Sequence, residues 1–255
     1  MVKRTLFLQY GVLCYAIFLA TFLYAVGFIG NFGVPRTLDG PLQGPLAAAV
    51  AIDLGLLALF AVQHSVMARK WFKERWTRIV PRPLERSTYV LFSSLALLLL
   101  FWQWRPLGGV VWSVEDPAAR LVLRVLFAFG WGLVLVATFL INHFDLFGLR
   151  QVWLYFREKP YTALPFGTPG PYRLVRHPLY VGWFFAFWMT PTMSLAHLLF
   201  AVMTTAYILL AIQFEEHDLV REHGSAYEEY RRRVPMLLPF GRGRRRVSDR
   251  PEVTA

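Results

Sequence analysis

The chain has 255 residues, of which 56% are hydrophobic and 16% aromatic, and it carries a formal net charge of +11. So apolar a composition excludes an ordinary soluble globular domain, and the basic excess falls in loops beside apolar runs, so it implies no nucleic-acid partner. The single cysteine, Cys14, lies inside one of those runs, which excludes an intramolecular disulfide and a cysteine-based metal site.

Five uncharged or nearly uncharged runs follow one another: Leu6–Ile29, Leu46–Met67, Ser87–Trp104, Leu121–Ile141 and Val181–Phe214. About 20 apolar helical residues cross the roughly 30 Å hydrocarbon core, so the first, second and fourth are predicted spans and the third is a short one. Leu6–Ile29 is too long for a signal-peptide core and has no fitting small-residue cleavage site, which predicts a retained anchor. The fifth run would extend about 51 Å as a single helix. Thr190-Pro191-Thr192 interrupts it and Ser194 suits an N-cap, so the prediction is two legs, Leu179–Met189 and Leu195–Phe214, joined by a tight turn. The first leg is short enough to reach only partway across or to pack inside the bundle.

Basic residues set the expected orientation. Loop 68–88 holds seven Lys or Arg, loop 142–180 five and the tail after Phe214 nine, against one in loop 30–45 and two in loop 105–120. The rich and poor loops alternate if the fifth run is a hairpin, with both termini in the cytoplasm. The expected fold is an all-α integral membrane protein, a bundle of about four spanning helices plus a C-terminal helical hairpin. Residues 1–141 form the N-terminal transmembrane part, 142–240 the functional core, and 241–255 a basic, disordered tail whose Arg244, Arg245 and Arg246 sit near anionic headgroups.

Two polar segments flank the hairpin, NHFDLFGLRQ (142–151) running on to RHPLY (176–180), and EEHDLVREHGSAYEEYRRRVP (215–235). The hairpin makes their ends neighbours. Pro178 suits a first helical turn, whose free N–H groups attract an anion, and Arg176 adds a fixed positive charge. The alternative is a plain cap with a headgroup-binding arginine. Glu215 and Glu216 are read as ending an uncharged helix, where the macrodipole disfavours them. They suit ribose hydroxyls, a cation or Arg176, or they belong to a solvated helix extension. Gly224 reads as a C-cap, and Tyr227 and Tyr230 share a face if a helix restarts after Ser225. Asp53, Gln63 and His64 are polar residues within the second span, with packing and transport as the two readings. His197 reads as interfacial. His143 and Asp145 stand at the end of the fourth span, where either suits a proton acceptor.

RHPLYVG, then Glu215-Glu216, Leu219, Gly224, Tyr227, Tyr230, Val234-Pro235 and Pro239 resemble the isoprenylcysteine carboxyl methyltransferase superfamily over about residues 142–240. NHFDLFGLRQVW, PYTALPF and GPYRLVRHPLYVGW look like the bacterial methanethiol S-methyltransferases within it. The resemblance implies a membrane enzyme with a cytoplasmic site for S-adenosylmethionine. It implies cofactor contacts at Tyr172, His177, Pro178, Tyr180 and Glu215, with Gln151 and the Leu164 region matched more loosely. Arg176, Glu216 and Tyr227 join them as candidates, and no metal is implied. Superfamily members that methylate a prenylcysteine carboxylate carry an arginine where this chain has Ala211. A small neutral thiol is therefore the expected acceptor, with dimethyl sulfide as product and the bacterial inner membrane as location.

In that reading a thiolate attacks the sulfonium methyl, His143 is the first candidate base and Asp145 the second, and Trp153, Phe147 or Trp183 wall an apolar acceptor pocket. Three other readings stay open: a methyltransferase for a prenylcysteine or a phospholipid amine, a nicotinamide-dependent reductase of the sterol-reductase type, and a non-enzymatic membrane protein such as a small transporter. The bilayer is the one partner implied besides the small thiol, and nothing in the sequence sets an oligomeric state.

Overall fold

The structure, a computed structural model, describes residues 1–239; the predicted tail 241–255 lies outside the described residues. In chain order the elements are α1 (Val2–Gly30), α2 (Leu46–Ala68), α3 (Lys70–Trp76), α4 (Arg82–Gln103), β1 (Val110–Ser113), α5 (Pro117–Leu140), α6 (His143–Leu146), α7 (Leu149–Phe156), a 3₁₀ turn (Gly170–Arg173), α8 (Pro178–Trp188), β2 (Thr192–Ser194), α9 (Leu195–His223) and α10 (Ser225–Arg233). Among the described residues five helices, α1, α2, α4, α5 and α9, are long and apolar enough to cross a membrane. The protein is an all-α integral membrane protein.

Local chemistry sets the helix starts. Asp116 caps α5 through Oδ1, which accepts from the Ala119 amide at 2.8 Å, and Pro117 fills the first position. Ser194 caps α9 by accepting from the His197 amide at 3.0 Å. The third span is longer than its apolar run suggests. α4 takes in the polar stretch from Arg82, because Pro83 and Glu85 both favour a first helical turn.

The hairpin forms as expected, with one correction. α9 runs on past Phe214 to His223, 29 residues in all, so Glu215 and Glu216 stand inside the helix and not at its end. The macrodipole objection to them lapses, because that effect is confined to the last turn. Gly224, at φ +56, then ends α9, and α10 restarts at Ser225.

α8 has 11 residues, about 16 Å of helix, and cannot cross the hydrocarbon by itself. Its far end is tied to the opposite loop by β2, which pairs antiparallel with β1. α8 packs on α5 through glycines. A Cβ on Gly182 would stand 2.8 Å from the Gly130 carbonyl, and one on Gly130 would stand 2.7 Å from the Ala186 amide. Small residues here let two backbones touch, as they do where membrane helices meet closely. Aromatic rings fill the core between the helices, among them Phe22, Phe28, Phe101, Trp104, Trp131 and Phe200.

The bundle has two distinct ends. At one, Arg4 bonds Glu158 and Arg69 pairs with Asp218 at 3.0 Å, which brings the start of α1, the loop after α7, the end of α2 and the far part of α9 together. This is the basic end. At the other, Ser194 bonds Asp39, Asn31 bonds the same carboxylate at 2.6 Å, and β1 meets β2.

Candidate functional site

Four segments meet at the basic end: the 3₁₀ turn, the start of α8, the middle of α9 and α10 with its following strand-like tail. Pro178 occupies the first position of α8 and His177 the cap position. Arg176 and His177 precede the helix, and their amides donate to the carbonyls of Pro235 and Met236 at 2.9 and 3.2 Å. The tail after α10 is thereby laid against the start of α8.

Arg176 is almost fully engaged. Its Nε donates to Glu216 Oε1 at 2.7 Å, its second amino group lies 2.7 Å from the same oxygen, and Nη1 donates to the carbonyls of Val234 (2.7 Å) and Arg231 (3.1 Å). His177 Nε2 also reaches Glu216 Oε1, at 3.1 Å. All three side chains are buried. Such bonds offset the cost of burying the pair; they fall on Glu216 Oε1, while Oε2 faces Arg231 Nη1 at 4.0 Å.

Glu215 turns the other way. Tyr180 donates its hydroxyl to Glu215 Oε2 at 2.8 Å, and His177 Nδ1 stands 3.8 Å from that oxygen. The Glu215 side chain stays 44% exposed, so one carboxylate oxygen remains open to a ligand. Tyr172 lies beside it. Burial, and then the Glu215 charge, push the Tyr172 phenol above its ordinary range. Burial and the same kind of neighbour hold the Tyr230 phenol up at about 12, with Arg176 pulling the other way. Tyr230 is thus a neutral donor, and it bonds the Tyr172 carbonyl at 2.6 Å. Tyr227 is buried, and among the described residues its hydroxyl has no hydrogen-bond partner. An open cleft of about 380 Å³ runs along the outer side of this group, lined by Arg176, Gln213, Glu216, Arg231, Arg232 and Met236.

His143, Asp145 and Gln151 form a second group, joined to the first by no hydrogen bond or ion pair among the described residues. His143 is buried in aromatic rings, stacked on Phe139 at 4.2 Å and flanked by Phe147 and Phe144. Thr138 gives its proton to the Leu135 carbonyl (2.7 Å), so it accepts from His143 Nδ1 at 2.9 Å. Nε2 then accepts from Tyr15 at 2.9 Å. Burial lowers the basicity of His143. Asp145 is held by Arg150 at 2.8 Å and by the Tyr161 hydroxyl at 3.3 Å, and the Gln151 side chain donates to the Asp145 carbonyl at 3.0 Å. Trp153 is half-exposed and stacks on Phe156, Phe147 packs on Phe18, and Trp183 packs on Trp131 and Phe187.

The chain is 63% identical to the methanethiol S-methyltransferase of Crocosphaera subtropica over 93% of both chains, and 55% identical to that of Mycobacterium tuberculosis over 93% of this chain and 98% of the relative. It belongs to the methanethiol S-methyltransferase family. It is also 33% identical to nurim of Bos taurus over 76% of this chain and 78% of nurim. No protein-family model and no solved structure matches it.

In this member of the methanethiol S-methyltransferase family, sequence reasoning missed several side chains that the fold gathers. Phe166 lies edge-on to Tyr227 (5.8 Å) and Tyr230 (5.6 Å) and packs on His223 at 5.0 Å, closing an aromatic cluster beside Tyr172. Nothing in a loop phenylalanine announces this. Tyr89 and Tyr207 also escaped notice, although a hydroxyl inside an uncharged span is a legible signal. Asp53 accepts from the Arg105 amide at 2.9 Å and is fully buried, which ties α2 to the end of α4. His197 is buried at the hairpin turn, with Nε2 at 2.9 Å from the Phe187 carbonyl.

Proposed function

We propose that this protein transfers the methyl group of S-adenosylmethionine to methanethiol and releases dimethyl sulfide. The observation that carries the reading is the family relationship, at 50–63% identity to proteins named for methanethiol methylation. The site supports it. An open Glu215 oxygen, the unpartnered Tyr227 hydroxyl and a cluster of aromatic rings at a helix start suit a ligand with an amino acid at one end and a flat base at the other.

S-adenosylmethionine would be held by Tyr172, His177, Pro178, Tyr180, Glu215 and Tyr227, and when bound it supplies a methyl group on a positively charged sulfur. The first amides of α8 meet a carboxylate, and Glu215 meets an amino group or a ribose hydroxyl. Arg176 and Glu216 serve by bracing these residues, since their buried ion pair ties α9 to the start of α8 and to the Val234 carbonyl. Gln151 acts at a distance, through the Asp145 loop. His143 has both ring nitrogens engaged, so its part in the proposal is to hold α5, α6 and α1 together. Ala211, one turn before Glu215, offers no charge to an anionic acceptor.

The cofactor core runs over 142–240 and the helices of 1–141 complete its walls. The basic end faces the cytoplasm of the bacterial inner membrane, where its lysines and arginines are retained.

The test is a headspace assay on purified, detergent-solubilised protein, with S-adenosylmethionine and methanethiol supplied and dimethyl sulfide quantified. The expected result is sulfide from the wild-type protein and none from Glu215→Ala. Cofactor binding by calorimetry without sulfide would keep the methyl transfer and discard the acceptor. Neither binding nor product would overturn the reading.

A further inference from the structure

A second open cleft, of about 410 Å³, lies at the basic end, where α2 turns into α3 and the far part of α9 passes. Arg69, Lys70, Trp71, Glu74, Asp218 and Arg221 line it. Helix geometry sets this polar lining above an apolar strip. Leu210, Phe214, Asp218 and Arg221 follow one another on α9 at steps of four, four and three, so they share one face. Leu210 and Phe214 are 63% and 58% exposed. On α2, Val62 stands about two turns before Arg69 on the same side and is also exposed. The exposed apolar residues thus lie toward the hydrocarbon and the charged ones at the helix ends. Arg69 joins the two levels, since its guanidinium lies over the Phe214 ring at 5.6 Å and pairs with Asp218 at 3.0 Å. Trp71 is half-exposed, with Arg75 over its ring at 5.6 Å, as suits a tryptophan at headgroup level.

We infer that this cleft binds the headgroup of a phospholipid with one net negative charge, drawn from the leaflet at the basic end, with an acyl chain laid along Phe214 and Leu210. The inference stands apart from the methyl-transfer reading and needs only the membrane fold. Charge selects the headgroup. Arg69, Lys70 and Arg221 are set against Glu74 and Asp218, which leaves an excess of one positive charge. One phosphodiester balances it, whereas a headgroup that brings its own ammonium leaves it uncompensated. Asp218 already holds Arg69. Lys70 and Arg221 have no ion-pair partner among the described residues, so they are the donors left for a phosphate. The pull on an anionic headgroup fades within a Debye length, so cations gathered at one cleft act together where those scattered along a loop do not. The apolar strip beneath the cations favours a lipid over a free anion. A phosphate held between Lys70 and Arg221 ties α3 to α9, the helix that carries Glu215.

The experiment uses the full chain, delipidated in detergent and titrated with phosphatidylglycerol or with phosphatidylcholine of the same acyl chains. Native mass spectrometry counts the bound lipid, and a thermal scan reads the melting temperature. The wild-type protein should retain one phosphatidylglycerol, bound at least about 10-fold tighter than phosphatidylcholine. The double variant Lys70→Gln, Arg221→Gln should lose at least about 10-fold of that affinity, yet bind phosphatidylcholine and melt in it as the wild type does. The double variant Arg78→Gln, Arg82→Gln removes the same charge from exposed positions outside the cleft and should hold phosphatidylglycerol within about twofold of wild type. Glu74→Gln raises the positive excess and should bind phosphatidylglycerol more tightly. Equal affinity of the wild type for the two lipids would overturn the inference, as would equal losses in the two double variants or no gain in Glu74→Gln. Inorganic phosphate that stabilises the protein as much as phosphatidylglycerol at the same concentration would assign the cleft to a free anion and overturn the lipid.

Discussion

Tyr180 and Glu215 join the two legs of the C-terminal hairpin, the phenol donating to Oε2 at 2.8 Å. The bond fixes one carboxylate oxygen and leaves the other free. Glu216, the next residue, points to Arg176 instead, because neighbours on a helix diverge by about 100°. One carboxylate is thus buried against Arg176, and the other stays half-exposed.

Tyr180→Phe should weaken S-adenosylmethionine binding by about 3- to 10-fold, the worth of one hydrogen bond of roughly 0.5–1.5 kcal/mol. The melting temperature without cofactor should move little. Calorimetric titration of the variant in detergent measures the first quantity and a thermal scan the second.

Breaking the buried pair should cost far more stability. Arg176→Met leaves Glu216 and two carbonyls without their donor, and a loss of about 3–5 kcal/mol is expected. The double variant Arg176→Met, Glu216→Met should recover part of that loss, since no charge is then stranded. Denaturation of the three proteins side by side gives the coupling.

His143 should make stability depend on pH. Burial holds its proton affinity below the ordinary 6.5, so the neutral form belongs to the folded state. The unfolded chain binds the proton first as pH falls, and stability is present above about 6.5 and lost on acidification through the lower folded value. His143→Asn should flatten this slope while leaving methyl transfer per folded molecule close to wild type. Melting temperatures between about pH 7 and pH 5 check the slope, and a turnover loss comparable to that of Glu215→Ala would restore His143 as a base.

Gly182→Val should separate α8 from α5. Its Cβ alone would meet Gly130 O at 2.8 Å and Val134 Cγ2 at 2.9 Å, so the helices must move apart. Overpacking of this kind costs about 1–3 kcal/mol, and it displaces the start of α8, which carries His177 and Tyr180. A lower melting temperature together with weaker cofactor binding is expected, read from one thermal scan with and without S-adenosylmethionine.

The sequence by itself determined the membrane class, the hairpin and the neighbourhood of Arg176–Tyr180 with Glu215–Glu216. Apolar run length, a Thr-Pro-Thr break and alternating basic loops are local or one-dimensional signals, and the bilayer converts them into topology. The starts of α8 and α9 were legible for the same reason, since Pro178 and Ser194 act on their own backbone. Tertiary structure alone decided which polar residue meets which. It turned two adjacent glutamates to different partners and continued α9 past them, with Arg176 and, from α8, Tyr180 bonding carboxylates that composition alone would place at a frayed end. It closed His143 into an aromatic box and set His64 against Phe60 and Tyr89, although in sequence both are lone histidines near the end of an apolar span. That difference depends on what Tyr15, Thr138, Tyr89 and Ser93 bring from other parts of the chain, up to 128 residues away, and no periodicity encodes side-chain partners at that separation.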